Sequence, residues 1–246
     1  MNFEHITPIR LDEVDSTNAE AMRLLKRGKP AEGSCIVAAF QTEGRGQRSN
    51  SWASTPAANL LSSFILYPRP FTAERPFLLS KTIALAVHKT LATFSASNVQ
   101  IKWPNDILID GKKAAGILIE NQWAGSNWQA AIAGIGINVN QTEFTVEKAT
   151  SLAVQNGKIV LVDHVLRELQ LQLSIEYARL CNEQEASINE DYQHQLFGKN
   201  DYQLYQTLSG QLKAKVVRVA GDGRLELISE KSDLNSYDLN EVRLIY

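Results

Sequence analysis

The apolar run Cys35 to Phe40 and the segment Leu60 to Leu66 bracket a polar stretch, QTEGRGQRSNSWAST, at Gln41 to Thr55. Apolar segments this short read as buried strands rather than helices. The stretch between them holds two glycines, two arginines and one tryptophan, and is a loop by composition. Long loops are uncommon inside compact domains and tend to carry function. The chain must therefore build a buried sheet that throws a long, cationic loop from the end of one strand.

The remaining periodicities fill in that sheet. Thr17-Asn18-Ala19-Glu20 reads as a capping box, and Met22, Leu24 and Leu25 form the stripe of a short helix that stops at Gly28. Phe77 to Phe94 has helical spacing. Val99, Ile101 and Trp103 alternate with Gln100 and Lys102, as in a half-buried strand. Asp110-Gly111 between apolar runs predicts a tight hairpin, followed by a strand from Trp128 to Val139. Apolar positions from Val162 to Leu180 predict a long helix over about residues 160–182. After Gly198 short strands take over: Leu212 to Val219 and Arg224 to Ile228 flank Ala220-Gly221-Asp222-Gly223, and Asn240 to Tyr246 follows. The fold class expected is α+β, a mixed sheet flanked by helices over residues 1–190, with a small β domain at 191–246.

Composition removes several classes. Of 246 residues, 44% are hydrophobic and 21% charged, which is globular and argues against disorder. No stretch approaches the roughly 20 apolar residues of a membrane span, and Met1 to Arg10 lacks a secretory pattern. The formal net charge of -2 disfavours a protein that lives on nucleic-acid backbone. Cys35 and Cys181 have neither disulfide nor zinc spacing. A cytoplasmic protein without membrane or DNA partners is expected.

Three islands could carry chemistry: Gly44-Arg45-Gly46-Gln47-Arg48, Lys102-Trp103-Pro104-Asn105-Asp106, and Gly116 to Glu120. A glycine-rich loop exposes backbone N–H groups to a phosphate, and arginine adds forked donors. Taken alone, a GRG triplet also fits a solvated loop. Lys102 faces away from Val99, Ile101 and Trp103, into solvent or a cleft, where it is a point charge for a carboxylate or phosphate. Asn105-Asp106 is either a turn or a phosphate and metal contact. Ser16-Thr17-Asn18 opens a helix, and a helix N-terminus attracts anions. Gly134 and Gly136 remove side chains where a ligand or packed backbone comes close. Trp52 either anchors the loop or offers a stacking surface. His5, His88, His164 and His194 show no ligand spacing, and no metal-binding residues are assigned.

In order, Ser-Thr-Asn at 16–18, Gln41 with GRG at 44–46 and Trp52, KWPND at 102–106, KAAGILIE at 113–120 and GIGINVN at 134–140 resemble the catalytic domain of biotin protein ligases. The resemblance covers about residues 10–185. It implies a class II synthetase-like biotin/lipoate ligase domain, followed by a small Src-homology-3-like barrel. It also implies two steps, with ATP, Mg2+ and biotin forming biotinyl-5'-adenylate, then transfer to a lysine of a biotin carboxyl carrier protein domain. By the same resemblance Lys102 and Arg45 are catalytic, with Lys102 on the biotin carboxylate and α-phosphate. Ser16, Thr17, Asn18, Gln41, Gly44, Arg45, Gly46, Gln47, Lys102, Gly116, Gly134 and Gly136 bind biotin. Arg45, Arg48, Trp52, Lys102, Asn105 and Asn138 bind ATP.

Two departures stand out. The family loop usually reads GRGRRGR before its tryptophan, whereas here Gln47 and Asn50 replace arginines. Weaker retention of the adenylate is expected. Some relatives carry a helix-turn-helix domain ahead of the catalytic motifs, which begin here almost at once. Alternatives are a lipoate–protein ligase and a non-catalytic biotin-binding module, and either a monomer or a homodimer fits.

Overall fold

The computed structural model describes residues 2–48, 50–146 and 148–245. Ser49 of the cationic loop and Tyr246 of the predicted last strand lie outside them. The first part of the chain runs β1 (Ile9–Val14), α1 (Thr17–Arg27), β2 (Cys35–Gln41), β3 (Leu60–Leu66), α2 (Pro70–Ala73), α3 (Phe77–Phe94), β4 (Val99–Lys102), β5 (Asp106–Ile109), β6 (Lys112–Ala124) and β7 (Asn127–Ile137). Then follow α4 (Leu152–Asn156), α5 (Val162–Cys181), α6 (Glu185–His194), β8 (Gln203–Thr207), β9 (Gly210–Val219), β10 (Leu225–Ser229), β11 (Leu234–Tyr237) and β12 (Val242–Leu244). The first sheet has seven strands in the order β1-β2-β3-β7-β6-β5-β4, and only β1 and β2 pair in parallel. The second has five antiparallel strands, β11-β10-β9-β8-β12.

Strand alternation gives the large sheet two different faces. Cys35, Val37, Phe64, Leu66, Ala131 and Ala133 join the main core with the apolar stripes of α3 and α5. Ile36, Ile65 and Ile132 point the other way and pack with Ala21 of α1. Each of these buried aliphatic side chains contributes about 1.5–3 kcal/mol. Helix α1 packs on the second face, and beyond its N-terminus the face is bare of helix and is met by the cationic loop. Along β7 the sequence there changes from Ile132 to Gly134 and Gly136, and along β6 it supplies Gly116.

Several local expectations are corrected. The capping box does not form: Ser16 is the N-cap, and Glu20 accepts from Arg23 Nε at 2.6 Å instead of closing the box. The predicted strand through Trp103 ends at Lys102, and Trp103 enters the turn to β5. Helix α6 runs continuously through residues 190 and 191, and the second sheet begins only at Gln203.

The small sheet is fastened to the large one through the β9–β10 hairpin. Lys81 of α3, only 2% exposed, donates to Asn189 Oδ1 at 2.9 Å and to the carbonyls of Val219 and Ala220 at 3.3 and 3.1 Å. These acceptors can take up all three ammonium donors. Burial pushes the Lys81 amine down to about 8. Gln193 of α6 exchanges two bonds with the backbone of Val219, and Trp103 Nε1 donates to Gly223 O at 2.9 Å. A side chain at Gly223, where φ is 94°, would start 2.5 Å from the Phe77 ring.

Candidate active site

The site begins where β1 hands the chain to α1. Asp15 accepts the Ser16 N–H at 2.7 Å and a forked pair from Arg23 at 2.9 and 2.7 Å. Above all, the Arg23 guanidinium holds the Asp15 carboxyl down at about 2. One residue on, Thr17 donates both its backbone N–H (2.7 Å) and its hydroxyl (2.9 Å) to Gln41 Oε1. That fixes the amide of Gln41 and leaves Nε2 as its donor end. Asn18 Nδ2 donates to Glu120 Oε2 at 2.7 Å and to Leu118 O at 3.3 Å. Its Oδ1 accepts from the buried Ser63 hydroxyl at 2.6 Å.

The glycines of the floor make room for these side chains. A Cβ at Gly134 would collide with the Asn18 amide. At Gly136 it would start 2.6 Å from the Trp52 ring, and at Gly116 2.8 Å from it. Trp52 thus lies flat against the sheet between two bare backbones. The cationic loop carries it there as a narrow hairpin, with Trp52 N donating to Gly44 O and Gly46 N to Asn50 O, each at 2.8 Å. Gly44 is needed for that hairpin, because a Cβ would meet the Trp52 carbonyl. The indole N–H of Trp52 is buried without a hydrogen bond in this arrangement.

Two cavities meet at the tryptophan. The first, about 50 Å3, is lined by Ser16, Thr17, Asn18, Gln41, Arg45 and the floor glycines. Gln47, Trp52, Asn105 and Lys113 border it as well as the second. The second, about 410 Å3, adds Arg48, Lys102, Asp106 and the small β domain's Tyr205, Val216 and Arg243. Asp106 sits between two lysines: Lys102 Nζ is 3.1 Å from Oδ2 and Lys113 Nζ 2.6 Å from Oδ1. Lys113 Nζ also lies 5.5 Å from the centre of the Trp52 ring, a cation–π distance. A cationic row therefore runs from Arg45 through Lys113 to Lys102 and Arg48, suited to an anion that spans both cavities.

The structure brings Ser16, Thr17, Asn18, Gln41, Arg45, Gly46, Gln47, Gly116, Gly134 and Gly136 together around the first cavity. Lys102 and Arg48 border the second only. Gly44 lines neither cavity and instead pairs with Trp52 in the loop hairpin. Asn138 borders neither cavity; it is buried and donates to Thr150 O at 3.0 Å. Lys113 is a functional candidate to which sequence reasoning gave no role, while Asp106, read with Asn105 as a turn or a phosphate and metal contact, pairs with two lysines. The signal for Lys113 was its place at the head of KAAGILIE, the strand that forms the cavity floor.

The sequence profile of the biotin/lipoate A/B protein ligase family matches residues 11–138, which include every residue of the first cavity. The chain belongs to this family. A bifunctional ligase/repressor BirA of Bacillus spizizenii is 32% identical over 225 residues, covering 89% of this chain and 69% of that protein. The biotin–[acetyl-CoA-carboxylase] ligase of Paracoccus denitrificans is 40% identical over 132 residues. The chain spans about half the length of that relative, 53%. Among solved structures, a biotin protein ligase from Aquifex aeolicus in complex with biotin and ATP superposes with a TM-score of 0.79 at 26% identity. That match covers 97% of this chain and 98% of the other, so this member of the family shares both its sheets with that ligase.

Proposed function

We propose that this family member activates biotin with ATP and passes it to a lysine of a carboxylase's biotin carboxyl carrier domain. The observation that carries the reading is the pair of cavities joined at Lys113: a polar one floored by glycine, and a larger cationic one beside it. Biotin's ureido ring needs fixed donors and acceptors, which Ser16, Thr17, Asn18 and Gln41 supply. Its carboxylate then points toward Lys113, and the nucleotide lies in the second cavity. The Paracoccus relative's name and the Aquifex complex with biotin and ATP support this assignment.

In the first step a biotin carboxylate oxygen attacks the α-phosphorus of ATP. The bond to the bridging oxygen breaks, pyrophosphate leaves, and biotinyl-5'-adenylate remains. Negative charge grows on the α-phosphoryl oxygens, where Lys113, Lys102 and Arg45 stabilise it. In the second step the neutral amine of a carrier lysine attacks the acyl carbon, AMP leaves, and the amine loses a proton as the amide forms. Mg2+ accompanies ATP as part of that substrate. Asp106 already pairs with Lys102 and Lys113, and an ion carried in with ATP would offset charge on its phosphates. Trp52, seated on the bare backbones of Gly116 and Gly136 where the cavities meet, shields the adenylate from water.

We also propose a protein without sequence-specific DNA binding, working in the cytoplasm as a monomer or homodimer; the formal net charge of -2 supports the first of these. The test of the reading is ATP–pyrophosphate exchange with biotin and with lipoate. Exchange that requires biotin is expected. Exchange with lipoate alone moves the chain to the other branch of the family, and binding of biotin without exchange makes it a non-catalytic module.

A further inference from the structure

Glu120 stands on β6 four residues beyond Gly116, so its side chain shares the cavity face of the sheet. It is partly buried, and among the described residues no ion pair reaches it. Its one side-chain hydrogen bond there is the 2.7 Å bond accepted from Asn18 Nδ2. Taking a carboxylate partly out of water is unfavourable unless donors replace the water. Its cross-strand partner Ile132 shows what packing alone selects on this face.

The two ends of an asparagine amide have nearly the same shape, and only their partners decide which way it points. An ionised carboxylate only accepts. It holds Nδ2 of Asn18 toward β6 and leaves Oδ1 for Ser63 and the cavity side. Ser63 sets the Asn18 amide only weakly, because its single hydroxyl proton is shared between Asn18 Oδ1 at 2.6 Å and Thr17 Oγ1 at 2.7 Å, and Leu118 O is the more distant acceptor. We propose that Glu120 is a positioning residue for biotin: its carboxylate sets the orientation of the Asn18 amide and so the polarity of the wall that the ureido ring meets. This rests on the biotin reading above.

The test is steady-state exchange kinetics of the native chain, Glu120→Ala and Glu120→Gln. Glu120→Ala is expected to raise KM for biotin about tenfold, the weight of one charge-assisted hydrogen bond. Its kcat and KM for ATP stay within about threefold of native by the same reasoning. Glu120→Gln keeps the shape but can donate as well as accept, so it no longer dictates the Asn18 amide and is also expected to raise the biotin KM, by less than Glu120→Ala. A native KM for biotin in Glu120→Ala, or equal rises in both KM values, overturns the proposal alone. A native chain without biotin-dependent exchange overturns both the proposal and the reading beneath it. Thermal midpoints of the variants show that the comparison is made on folded protein.

Discussion

Lys113 reaches the junction of the cavities because of a strand irregularity. Between Ile107 and Leu108 the β5–β6 register shifts, so Leu108 pairs with Lys113 while Ile107 pairs with Ala115. The extra residue lets the lysine swing back over Asp106. A bulge leaves no mark in hydrophobic periodicity, which is why KWPND drew attention to Lys102 while Lys113 went unassigned. On their own, Ser16, Thr17 and Asn18 read as a helix start and Gln41 as the start of a loop; only the family resemblance marked them as biotin contacts. The floor glycines were legible as gaps but not as the seats of Asn18 and Trp52. Gly136→Ala puts a Cβ against the indole, and we expect a loss of biotin affinity of at least about tenfold, about 1.4 kcal/mol, measured by calorimetry. Gln47→Arg restores a charge beside both cavities. It is expected to slow release of free biotinyl-adenylate, and equal leakage from both forms would remove any role for the substitution.

Elements with one strong period were predicted within a residue or two, as α3, α5 and the hairpins at Asp110-Gly111 and Ala220–Gly223 show. Six elements were not foreseen: β1, α2, α4, α6, β8 and β11. Strand β1 is an edge with mostly exposed side chains, α6 buries only Ile188 and Tyr192 among its ten residues, and β11 is exposed except at half-buried Tyr237. Each is placed by partners distant in sequence. Lys81 illustrates the same limit: inside α3 it reads as a solvated lysine, yet it clamps the β9–β10 hairpin. Because its folded value lies near 8, below that of a free lysine, the folded state holds fewer protons between about pH 8 and 10.5. Stability should therefore rise with pH across that window. Lys81→Met is expected to lack that rise, as denaturant midpoints at pH 7.5 and 9.5 would show. Gly223→Ala adds a side chain at positive φ against Phe77, and should lower stability by about 1–3 kcal/mol in the same titration.

Across the whole molecule, the small β domain completes the site. Tyr205, Val216 and Arg243 wall the cavity that the large sheet opens, and Trp103, beside Lys102, is tied to the hairpin at Gly223. Sequence periodicity separated the two sheets but carried no sign of the surfaces they share, since docking is set by geometry between residues more than a hundred positions apart. The central claim is that Lys113 links the biotin and nucleotide cavities and carries the charge of adenylation. Biotin-dependent ATP–pyrophosphate exchange by the native chain, Lys113→Ala and Lys102→Ala tests it most directly. We predict a fall in kcat of at least about 100-fold for Lys113→Ala, the scale of a lost transition-state donor. For Lys102→Ala, which faces the same α-phosphoryl oxygens, we predict a fall in kcat as well, together with a higher KM for ATP. Native kcat in Lys113→Ala, or a collapse confined to Lys102→Ala, would contradict the account.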